Sequence, residues 1–461
     1  MRPGVDLKAK KVLVLGLART GLAASLFTAA KGATVTATDV KSEPELSETA
    51  ARLRRAGVTL RLGGQDDSLF FNQDLIVISP GVPANLPAIV AARERGVPIW
   101  SEIELAWRFL RGKLVAITGS NGKTTTTSLI AHILETAKLP VLLGGNIGVP
   151  LLSLVDSSTD STVTVAEISS FQLETIEAFR PDVGVLLNIT PDHLDRYASF
   201  EDYAGAKMRL FENQLECDYA VLNADDPESA KRRPARPRVF WFSRQKRVAE
   251  GAFLRDGEVF FRNQGIETPL LRRDAIPLKG EHNVENVLAA CAAASLAGAD
   301  PASIAAGVLS FRAVEHRLEF VAEVAGVSYY NDSKATNVDA TIKALEAFPA
   351  GLLVILGGKD KGSDYSPLRH LLHGRARLVL LIGDASGKIE SQIAGAAPLE
   401  RAGTLDRAIR IASETARPGE TVLLAPACAS FDQFQNYEHR GRVFKELVHQ
   451  LESRTAAAKK G

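Results

Sequence analysis

Short apolar runs alternate with amphipathic stretches along most of the chain. Near the start, Lys11 to Leu15 and Thr34 to Thr38 are apolar runs of strand length, and Thr20 to Ala30 between them has the spacing of a helix. This order predicts a βαβ unit with parallel strands. The stretches "DLIVISPGVP" and "GVPIWSEIELAWRFL" continue the alternation with two further strands and a helix.

Two more blocks repeat this alternation. The second begins at "GKLVAITGSNGKTTTT" and contains the apolar strands "STVTVAEISS", "DVGVLLNIT" and "DYAVLNADDP". Within it, the region between Pro234 and Pro277 is expected to form hairpins that decorate the sheet. The third contains "GLLVILGGKD", "ARLVLLIGD" and "ETVLLAPACAS". We predict an α/β fold of three domains, 1–110, 111–311 and 312–461, each a mostly parallel sheet flanked by helices.

Composition limits the class of protein. The chain has 461 residues, 46% of them hydrophobic and 24% charged, with a formal net charge of +1. These values are typical of packed globular domains and give no reason to expect a nucleic acid partner. Cys217, Cys291 and Cys428 lie far apart, which fits a reducing compartment and no zinc site. No apolar run approaches the ~18 residues of a membrane span, and no secretory signal is recognisable, so we expect a cytoplasmic protein.

The stretch "AITGSNGKTTTTSLI" is similar to a phosphate-binding loop but is shorter than the standard pattern G-x-x-x-x-G-K-[ST]. The first glycine of that pattern would fall where the chain has Ile117. Strand, loop, Gly-Lys-Thr and helix still follow in the right order, and the N–H groups of a helix N-terminus favour an anion. Lys123 is then expected to reach the β/γ phosphates, and Thr124 to hold Mg²⁺. The alternative is an ordinary βα turn with a surface lysine.

The stretch "GLARTG" near the N-terminus makes a nucleotide plausible but weakens the case for NAD. A dinucleotide fingerprint needs a middle glycine where the backbone approaches the pyrophosphate, and Ala18 occupies that place. Asp39 ends the second predicted strand, where an acid that binds a ribose is expected. The alternative is a βα turn followed by a surface aspartate.

Other reactive side chains follow the carboxyl ends of predicted strands, where open α/β sheets bind ligands. Glu167 ends "VTVAEISS" and His193 lies in "NITPDHLDR", so both are candidate Mg²⁺ ligands, although magnesium prefers oxygen. In the third block, "NDSKATN" and "GGKDKG" supply groups suited to a nucleotide, a phosphate or a carboxylate: Asp332, Lys334, Thr336, Lys359 and Lys361. For each of these residues the alternative is a solvated or capping position in a loop.

Seven motifs together resemble the Mur ligase superfamily, the ATP-dependent amino-acid ligases of peptidoglycan precursor synthesis. They are "GSNGKTTT", "EISSFQLE", "NITPDHLDRY", "GEHNVENVLAA", "EHRLE", "NDSKATN" and "PACASFDQFQNYEHRG". The shorter loop G-x-x-G-K-T is that superfamily's ATP loop. "EISSFQLE", "NDSKATN" and "ACASFDQF" are similar to its D-glutamate-adding branch, and the "DNPR" signature of the branch that adds diaminopimelate or lysine is absent.

The resemblance implies a reaction and an architecture. ATP phosphorylates the carboxylate of UDP-N-acetylmuramoyl-L-alanine, and the amine of D-glutamate attacks the acyl phosphate. The N-terminal domain is then Rossmann-like and binds the UDP-substrate, the central domain is P-loop ATPase-like, and the C-terminal domain is Rossmann-like, binds the amino acid and closes the site. A monomer is expected. The alternatives are a sibling ligase that adds another amino acid and a non-catalytic nucleotide-binding regulator.

The resemblance also implies roles for individual residues. Lys123, Glu167, His193 and Lys207 form the implied catalytic set. ATP contacts are implied at Gly119, Ser120, Asn121, Gly122, Lys123, Thr124, Thr125, Asn283, Asn286, Arg317, Asp332 and Lys334. Two Mg²⁺ ions are implied, with ligands at Thr124, Glu167, His193 and Lys207. Contacts with the UDP-substrate are implied at Thr20, Asp39, Ser79, Gly81, Asn146 and Ser169, and contacts with D-glutamate at Thr336, Lys361, Ser430 and Tyr437.

Two of these positions have competing interpretations. Lys207 matches a lysine that the family carbamylates, which would turn a cation into an anionic oxygen ligand. From the residues alone, Lys207 is instead expected to be a surface lysine on a helix. Lys359 and Lys361 both follow the two glycines of "GGKDKG", and both remain candidates to bind the amino-acid carboxylate.

Overall fold

The computed structural model describes residues 4–64, 66–192, 196–278, 280–312 and 315–458, with side chains described as far as Thr455. This part of the chain contains three sheets of five, nine and six strands. Each sheet falls within one of the three predicted blocks, and helices connect most of the strands. The α/β fold is therefore confirmed, while the predicted domain boundaries after residues 110 and 311 stay predictions.

The first sheet is entirely parallel. Its order is β3-β2-β1-β4-β5. Leu13 on the central strand and Ile76 on the strand beside it pack with Ile89 in one buried cluster. Its strands are β1 (Lys11–Leu15), β2 (Thr34–Asp39), β3 (Thr59–Leu62), β4 (Leu75–Ile78) and β5 (Ile99–Ser101), and its helices are α1 (Arg19–Ala30), α2 (Ser47–Arg55), α3 (Pro87–Glu94) and α4 (Glu102–Phe109).

The second sheet has a parallel core and an antiparallel edge. Its strands are β6 (Lys113–Thr118), β7 (Val141–Gly145), β8 (Val163–Glu167), β9 (Val183–Leu186), β10 (Tyr219–Asn223), β11 (Arg238–Ser243), β12 (Gly251–Arg255), β13 (Glu258–Asn263) and β14 (Ile266–Arg272). The accompanying helices are α5 (Lys123–Thr136), α6 (Ser170–Leu173), α7 (Phe200–Met208), α8 (Pro227–Ala230), α9 (Glu281–Ala297) and α10 (Pro301–Ser310). The order is β14-β13-β12-β11-β10-β9-β6-β8-β7, with antiparallel pairing only from β12 to β14.

The region between Pro234 and Pro277 thus differs in part from the predicted hairpins. The strands β12, β13 and β14 do form two hairpins, but they extend the large sheet at its edge. The strand β11 is a further parallel strand of that sheet. Its sequence "RVFWFS" is flanked by prolines and charged residues. For that reason the sequence did not predict a strand that pairs in the interior of the sheet.

The third sheet is parallel except for its first strand. Its strands are β15 (Glu319–Val324), β16 (Val327–Asn331), β17 (Leu352–Gly357), β18 (Ala376–Ile382), β19 (Leu399–Gly403) and β20 (Thr421–Leu424), and its helices are α11 (Val338–Glu346), α12 (Arg369–Arg375), α13 (Ser386–Ile393), α14 (Leu405–Thr415) and α15 (Tyr437–Ala458). The order is β15-β16-β20-β17-β18-β19. Along β17, Leu352 and Val354 belong to one buried cluster and Leu353 and Ile355 to another, so the sheet is covered on both faces.

The fold divides into two compact units. The first contains the first two sheets, and comprises the described residues up to 189 together with 201–275 and 286–309. The second contains the third sheet, and comprises the described residues of 190–200, 276–285 and 310–461. Among the residues described, no helix has the length and apolar character needed to cross a bilayer.

Candidate functional site

The Gly119–Gly122 turn joins β6 to α5 and has a backbone that only glycine adopts easily at its two ends. Gly119 and Gly122 have φ of +150° and +90°. A Cβ on Gly122 would overlap the side-chain oxygen of Asn286. The Ser120 and Asn121 N–H groups donate to the backbone and side-chain oxygens of Asn188 at 3.0 and 2.9 Å. The turn is thus held in place at the N-terminus of α5, an arrangement that suits a phosphate.

Two lysine side chains converge on this turn. The Lys123 ammonium donates to the carbonyl oxygens of Gly119 and Ser120, both at 2.8 Å. The Lys207 ammonium donates to the same Gly119 oxygen at 2.9 Å and lies 4.4 Å from the ring centroid of Tyr203. Lys207 is 2% exposed, so the expectation of a surface lysine is wrong. The sequence held one indication of this, since Lys207 stands four residues after Tyr203 and therefore shares its helix face.

Oxygen atoms of the kind that bind Mg²⁺ lie beside the turn. The Thr124 hydroxyl donates to Glu167 Oε2 at 2.6 Å, and Asn146 Nδ2 donates to Glu167 Oε1 at 2.8 Å. Glu167 is 2% exposed at the end of β8. A buried carboxylate paired with a hydroxyl is a donor set that fits Mg²⁺. The structure groups no three His, Cys, Asp or Glu side chains at a metal-binding distance within the described ranges, and His193 lies outside those ranges.

The remaining predicted ATP residues of this unit include two that lie close to the turn. Asn286 is 4% exposed and accepts a hydrogen bond from Thr126 Oγ1 at 3.3 Å. Thr125 is 2% exposed, and its hydroxyl finds no partner among the described residues. Asn283, earlier in α9, is also buried, but it belongs to the second compact unit.

A cavity of about 580 Å³ opens at the carboxyl ends of the first sheet. Five residues predicted to contact the UDP-substrate line it: Thr20, Asp39, Ser79, Gly81 and Asn146. The Asp39 carboxylate accepts from the N–H groups of Leu17 and Lys41 at 2.6 and 2.9 Å, so its orientation is fixed. The structure therefore brings these residues together, as the prediction requires, around a space large enough for a nucleotide-sized ligand.

The structure also shows lining residues that the sequence did not reveal. Arg19 and Gln172 line the cavity, and Arg19 Nη1 donates to the Gly148 carbonyl at 3.1 Å. Arg19 begins α1 within "GLARTG". This position beside the loop was the one indication in the sequence that Arg19 could contact a ligand. Ser169, the sixth residue predicted to contact the UDP-substrate, caps α6, because its hydroxyl pairs with Gln172 in a capping box. Ser169 is next to the cavity in sequence, but it is not among the residues that line it.

Asn146 connects the cavity to the Gly119–Gly122 turn, which is called the phosphate turn below. Its side chain lines the cavity and donates to Glu167, which in turn accepts from Thr124. These side chains form one hydrogen-bonded chain inside the first compact unit. A ligand in the cavity and an anion on the turn would thus lie at opposite ends of the same short network.

The second compact unit holds the other candidates. Asp332 follows β16, and burial raises its pKa to about 6, while the nearby Arg317 opposes this shift. The Lys334 ammonium donates to the Tyr437 hydroxyl at 3.2 Å and lies 5.0 Å from its ring centroid. Thr336 follows in the same loop. The structure thus brings Lys334 and Tyr437 into direct contact, across about a hundred residues of sequence.

The two competing lysines differ in their surroundings. Lys361 Nζ lies 3.6 Å from Asp192 Oδ1, and the other oxygen of Asp192 accepts from Asn337 Nδ2 at 3.0 Å. Lys359 is exposed, and its backbone N–H donates to Ala429, which precedes the buried Ser430. Lys361 is therefore already placed against a carboxylate, the kind of group that either lysine was expected to bind.

Models of three protein domains match the chain. They are the Mur ligase MurD-like N-terminal domain over residues 10–101, the Mur ligase middle domain over 117–294 and the Mur ligase glutamate ligase domain over 316–428.

Two similar relatives are each named UDP-N-acetylmuramoylalanine–D-glutamate ligase. The one from Acidobacterium capsulatum is 56% identical over 458 residues, covering 98% of this chain and 99% of the relative. The one from Koribacter versatilis is 53% identical over 450 residues, covering 97% and 99%.

Solved structures share the fold at low identity. A pseudomurein peptide ligase type C from Methanothermus fervidus matches with a TM-score of 0.60 and 21% identity, covering 96% of this chain and 100% of the other. MurF ligase from Thermotoga maritima, solved in complex with ADP, matches with a TM-score of 0.59 and 17% identity, covering 97% and 99%.

Proposed function

Because this chain belongs to the Mur ligase family, whose members are ATP-dependent ligases that form amide bonds, we propose that it joins D-glutamate to UDP-N-acetylmuramoyl-L-alanine and releases ADP and phosphate. The names of the relatives that match nearly its full length support this choice of substrates. The observation that carries the proposal is a series of hydrogen bonds. It runs from the cavity through Asn146 and Glu167 to Thr124 at the phosphate turn.

The proposed reaction begins in the first compact unit. The UDP part of the substrate lies in the cavity, with Arg19 and the helix N-terminus of α1 facing its phosphates and Asp39 facing its sugar or base. The free carboxylate of UDP-N-acetylmuramoyl-L-alanine then extends toward Asn146. ATP binds on the Gly119–Gly122 turn, where Lys123 leaves its two carbonyl partners to contact the β/γ phosphates.

Phosphoryl transfer needs positive charge clustered around the γ-phosphate. Lys123 supplies one such charge, and Mg²⁺ held by Thr124 and Glu167 supplies charge neutralisation when it is bound. His193 is the proposed ligand of a second ion, and Lys207 is proposed to be carbamylated as a further oxygen ligand. The enclosure of Lys207 supports this role, because a carbamate requires a neutral amine in a protected site.

The second compact unit is proposed to bind D-glutamate and part of ATP. Lys361, Thr336, Ser430 and Tyr437 bind the amino acid, and Arg317, Asp332 and Lys334 contact ATP. The amine of D-glutamate attacks the acyl phosphate, phosphate leaves, and the amine loses its proton. The 1–110, 111–311 and 312–461 division into domains stays part of this proposal, and the matched domain ranges support it.

Mass analysis of the product tests this function directly. The enzyme is incubated with ATP, Mg²⁺, UDP-N-acetylmuramoyl-L-alanine and a panel of single amino acids, and phosphate release is followed in parallel. We expect D-glutamate to give both phosphate and a product heavier by one glutamyl residue. Turnover with another amino acid but not with D-glutamate would identify a sibling ligase, and ATP binding without turnover would identify a regulator.

A further inference from the structure

Arg440 lies near the start of α15 with its guanidinium fully buried. It is 0% exposed. Its Nε donates to Ser333 Oγ at 2.9 Å, and its Nη2 donates to the Ser333 carbonyl at 2.8 Å. Both Nη atoms donate to the Cys428 carbonyl at 3.2 Å, and Nη1 also reaches the Ala429 carbonyl at 3.4 Å. A guanidinium has five N–H groups, so this side chain is satisfied without any exposure to water.

The acceptors of Arg440 belong to two loops that carry proposed substrate contacts. Ser333 lies in the loop after β16, between Asp332 and Lys334. Cys428 and Ala429 lie in the loop after β20, directly before Ser430. The Ser333 hydroxyl also donates to the Tyr437 carbonyl at 2.8 Å, which ties the start of α15 to the same group.

A third loop packs against the same side chain. A Cβ on Gly358 would lie 3.2 Å from Arg440 Nη1 and would overlap the Ala429 carbonyl. Gly358 precedes both Lys359 and Lys361. The strands β16, β20 and β17 are neighbours in the sheet, so the loops at their carboxyl ends meet above them, and Arg440 fills the point where they meet.

Within the described part of the chain no carboxylate accepts a hydrogen bond from Arg440, although the Asp432 carboxylate lies near enough to interact with its charge. Among the described residues, the groups that accept from its guanidinium are carbonyl and hydroxyl oxygens. Burial lowers the pKa of Arg440 to about 10, so the group remains charged at neutral pH. Because Asp432 offsets this charge without a hydrogen bond to it, positive potential remains under these loops, and it favours an anion in front of them at a site where water screens it little.

We propose that Arg440 is a positioning residue for the amino-acid substrate, which holds the three loops in register and adds positive potential at the site of the substrate carboxylates. The inference rests on the proposed function of this unit. It predicts that Arg440 governs the KM for D-glutamate and leaves the KM for the UDP-substrate unchanged, because the UDP cavity is lined wholly by the first compact unit.

Steady-state kinetics of Arg440→Lys and Ser333→Ala in the full-length enzyme test this proposal. Lysine keeps the charge but loses the planar fork, so we expect the KM for D-glutamate to rise by about tenfold or more, the scale of one lost hydrogen bond to a charged group. Ser333→Ala removes the hydroxyl between Arg440 and Tyr437 with little change in volume, and we expect a rise of about three- to tenfold.

The matched control is Arg442→Lys, because Arg442 is exposed on the same helix, and all its kinetic constants should stay within about twofold of wild type, as surface changes do. A purely structural role would lower kcat through a smaller active fraction and leave the KM for D-glutamate unchanged. That result, or an unchanged KM in both variants, overturns the proposal. If the wild-type enzyme adds another amino acid, the proposed function fails, and the same comparison with that amino acid still decides the role of Arg440.

Discussion

Lys207 is enclosed on a helix whose local sequence is partly polar. It contacts the Tyr203 ring and the Gly119 carbonyl at the base of the phosphate turn. For single residues, the sequence predicts those that belong to a local motif, such as the glycines and the Lys-Thr pair of the turn. It predicts burial poorly, because the packing of α7 against a turn some ninety residues earlier decides it.

Lys123 should be needed for rapid turnover. Replacing Lys123 by alanine should lower turnover by at least about 10²-fold, the cost of losing one preorganised electrostatic contact. Phosphate release at saturating substrates measures this. Lys246→Ala is the control, because Lys246 is exposed in the same compact unit. A Lys123→Ala enzyme that turns over at a rate close to wild type would refute the assignment of the turn.

Chemical rescue tests the proposed carbamate on Lys207. We expect Lys207→Ala to be inactive, and acetate or formate to restore part of the activity by supplying a carboxylate where the carbamate would lie. The same acids should not raise the residual activity of Lys123→Ala, because that variant lacks a cation. Absence of rescue in a Lys207→Ala protein that is folded and binds ATP would remove the main support for carbamylation.

Among the elements, strands were easier to predict than their partners in the sheet. The apolar runs that became β1, β4 and β17 were visible because strands buried on both faces are continuously hydrophobic. The sequence did not show that β11 pairs inside the large sheet, because its ends are rich in proline and arginine. Five residues of the cavity were predicted through the family resemblance, but the hydrophobic pattern did not show that loops from two different sheets meet there.

The junction of β6 and α5 should tolerate no side chain at Gly122. Gly122→Ala places a Cβ at φ +90° and against Asn286, which costs at least about 1–2 kcal/mol in backbone strain alone. We expect ATP affinity, measured by calorimetry, to fall by about tenfold or more.

Gly205→Ala in α7 is the matched control for that substitution. Gly205 is exposed, and a Cβ there meets no other atom. Alanine should stabilise the helix by about 1 kcal/mol and leave ATP affinity unchanged. Equal ATP affinity in the two alanine variants would show that the glycine turn does not hold the nucleotide.

The start of α4 should make stability depend on pH. Glu102 is 1% exposed, its Oε1 accepts from the Leu152 N–H, and its Oε2 has no partner in the described structure. Burial raises its pKa from 4.5 to about 7, and the bond from Leu152 only partly opposes this. The folded protein therefore holds this proton more tightly than the unfolded chain, and the free energy of unfolding falls as pH rises from about 4.5 to about 7.

Glu102→Gln should remove this contribution. Relative to wild type, the variant should gain about 3 kcal/mol in free energy of unfolding between pH 4.5 and pH 8. Urea unfolding at both pH values measures the difference. Glu94→Gln, an exposed change on α3, should show no such trend, and parallel pH profiles for wild type and Glu102→Gln would contradict the prediction.

Across the whole molecule, the proposed substrate contacts divide between the two compact units. The cavity and the phosphate turn belong to the first unit, while the loops joined by Arg440 belong to the second. The UDP-substrate alone should therefore slow amide hydrogen exchange around residues 15–20, 79–82 and 145–150. At a ligand concentration of about 100 Kd the stabilisation is about 2.7 kcal/mol, so exchange there should slow by up to about 100-fold.

D-Glutamate alone should protect the loops around residues 332–337, 359–362 and 428–430 instead. Asp39→Asn is the control for protection by the UDP-substrate. It replaces a fixed carboxylate of the cavity with an amide and changes no residue of the second unit. Protection by the UDP-substrate confined to the second unit would contradict the assignment of the cavity. We expect the UDP-substrate to protect the expected segments in wild type and not in Asp39→Asn at the same ligand concentration. That result would place this substrate in the cavity, and the measurement needs no turnover.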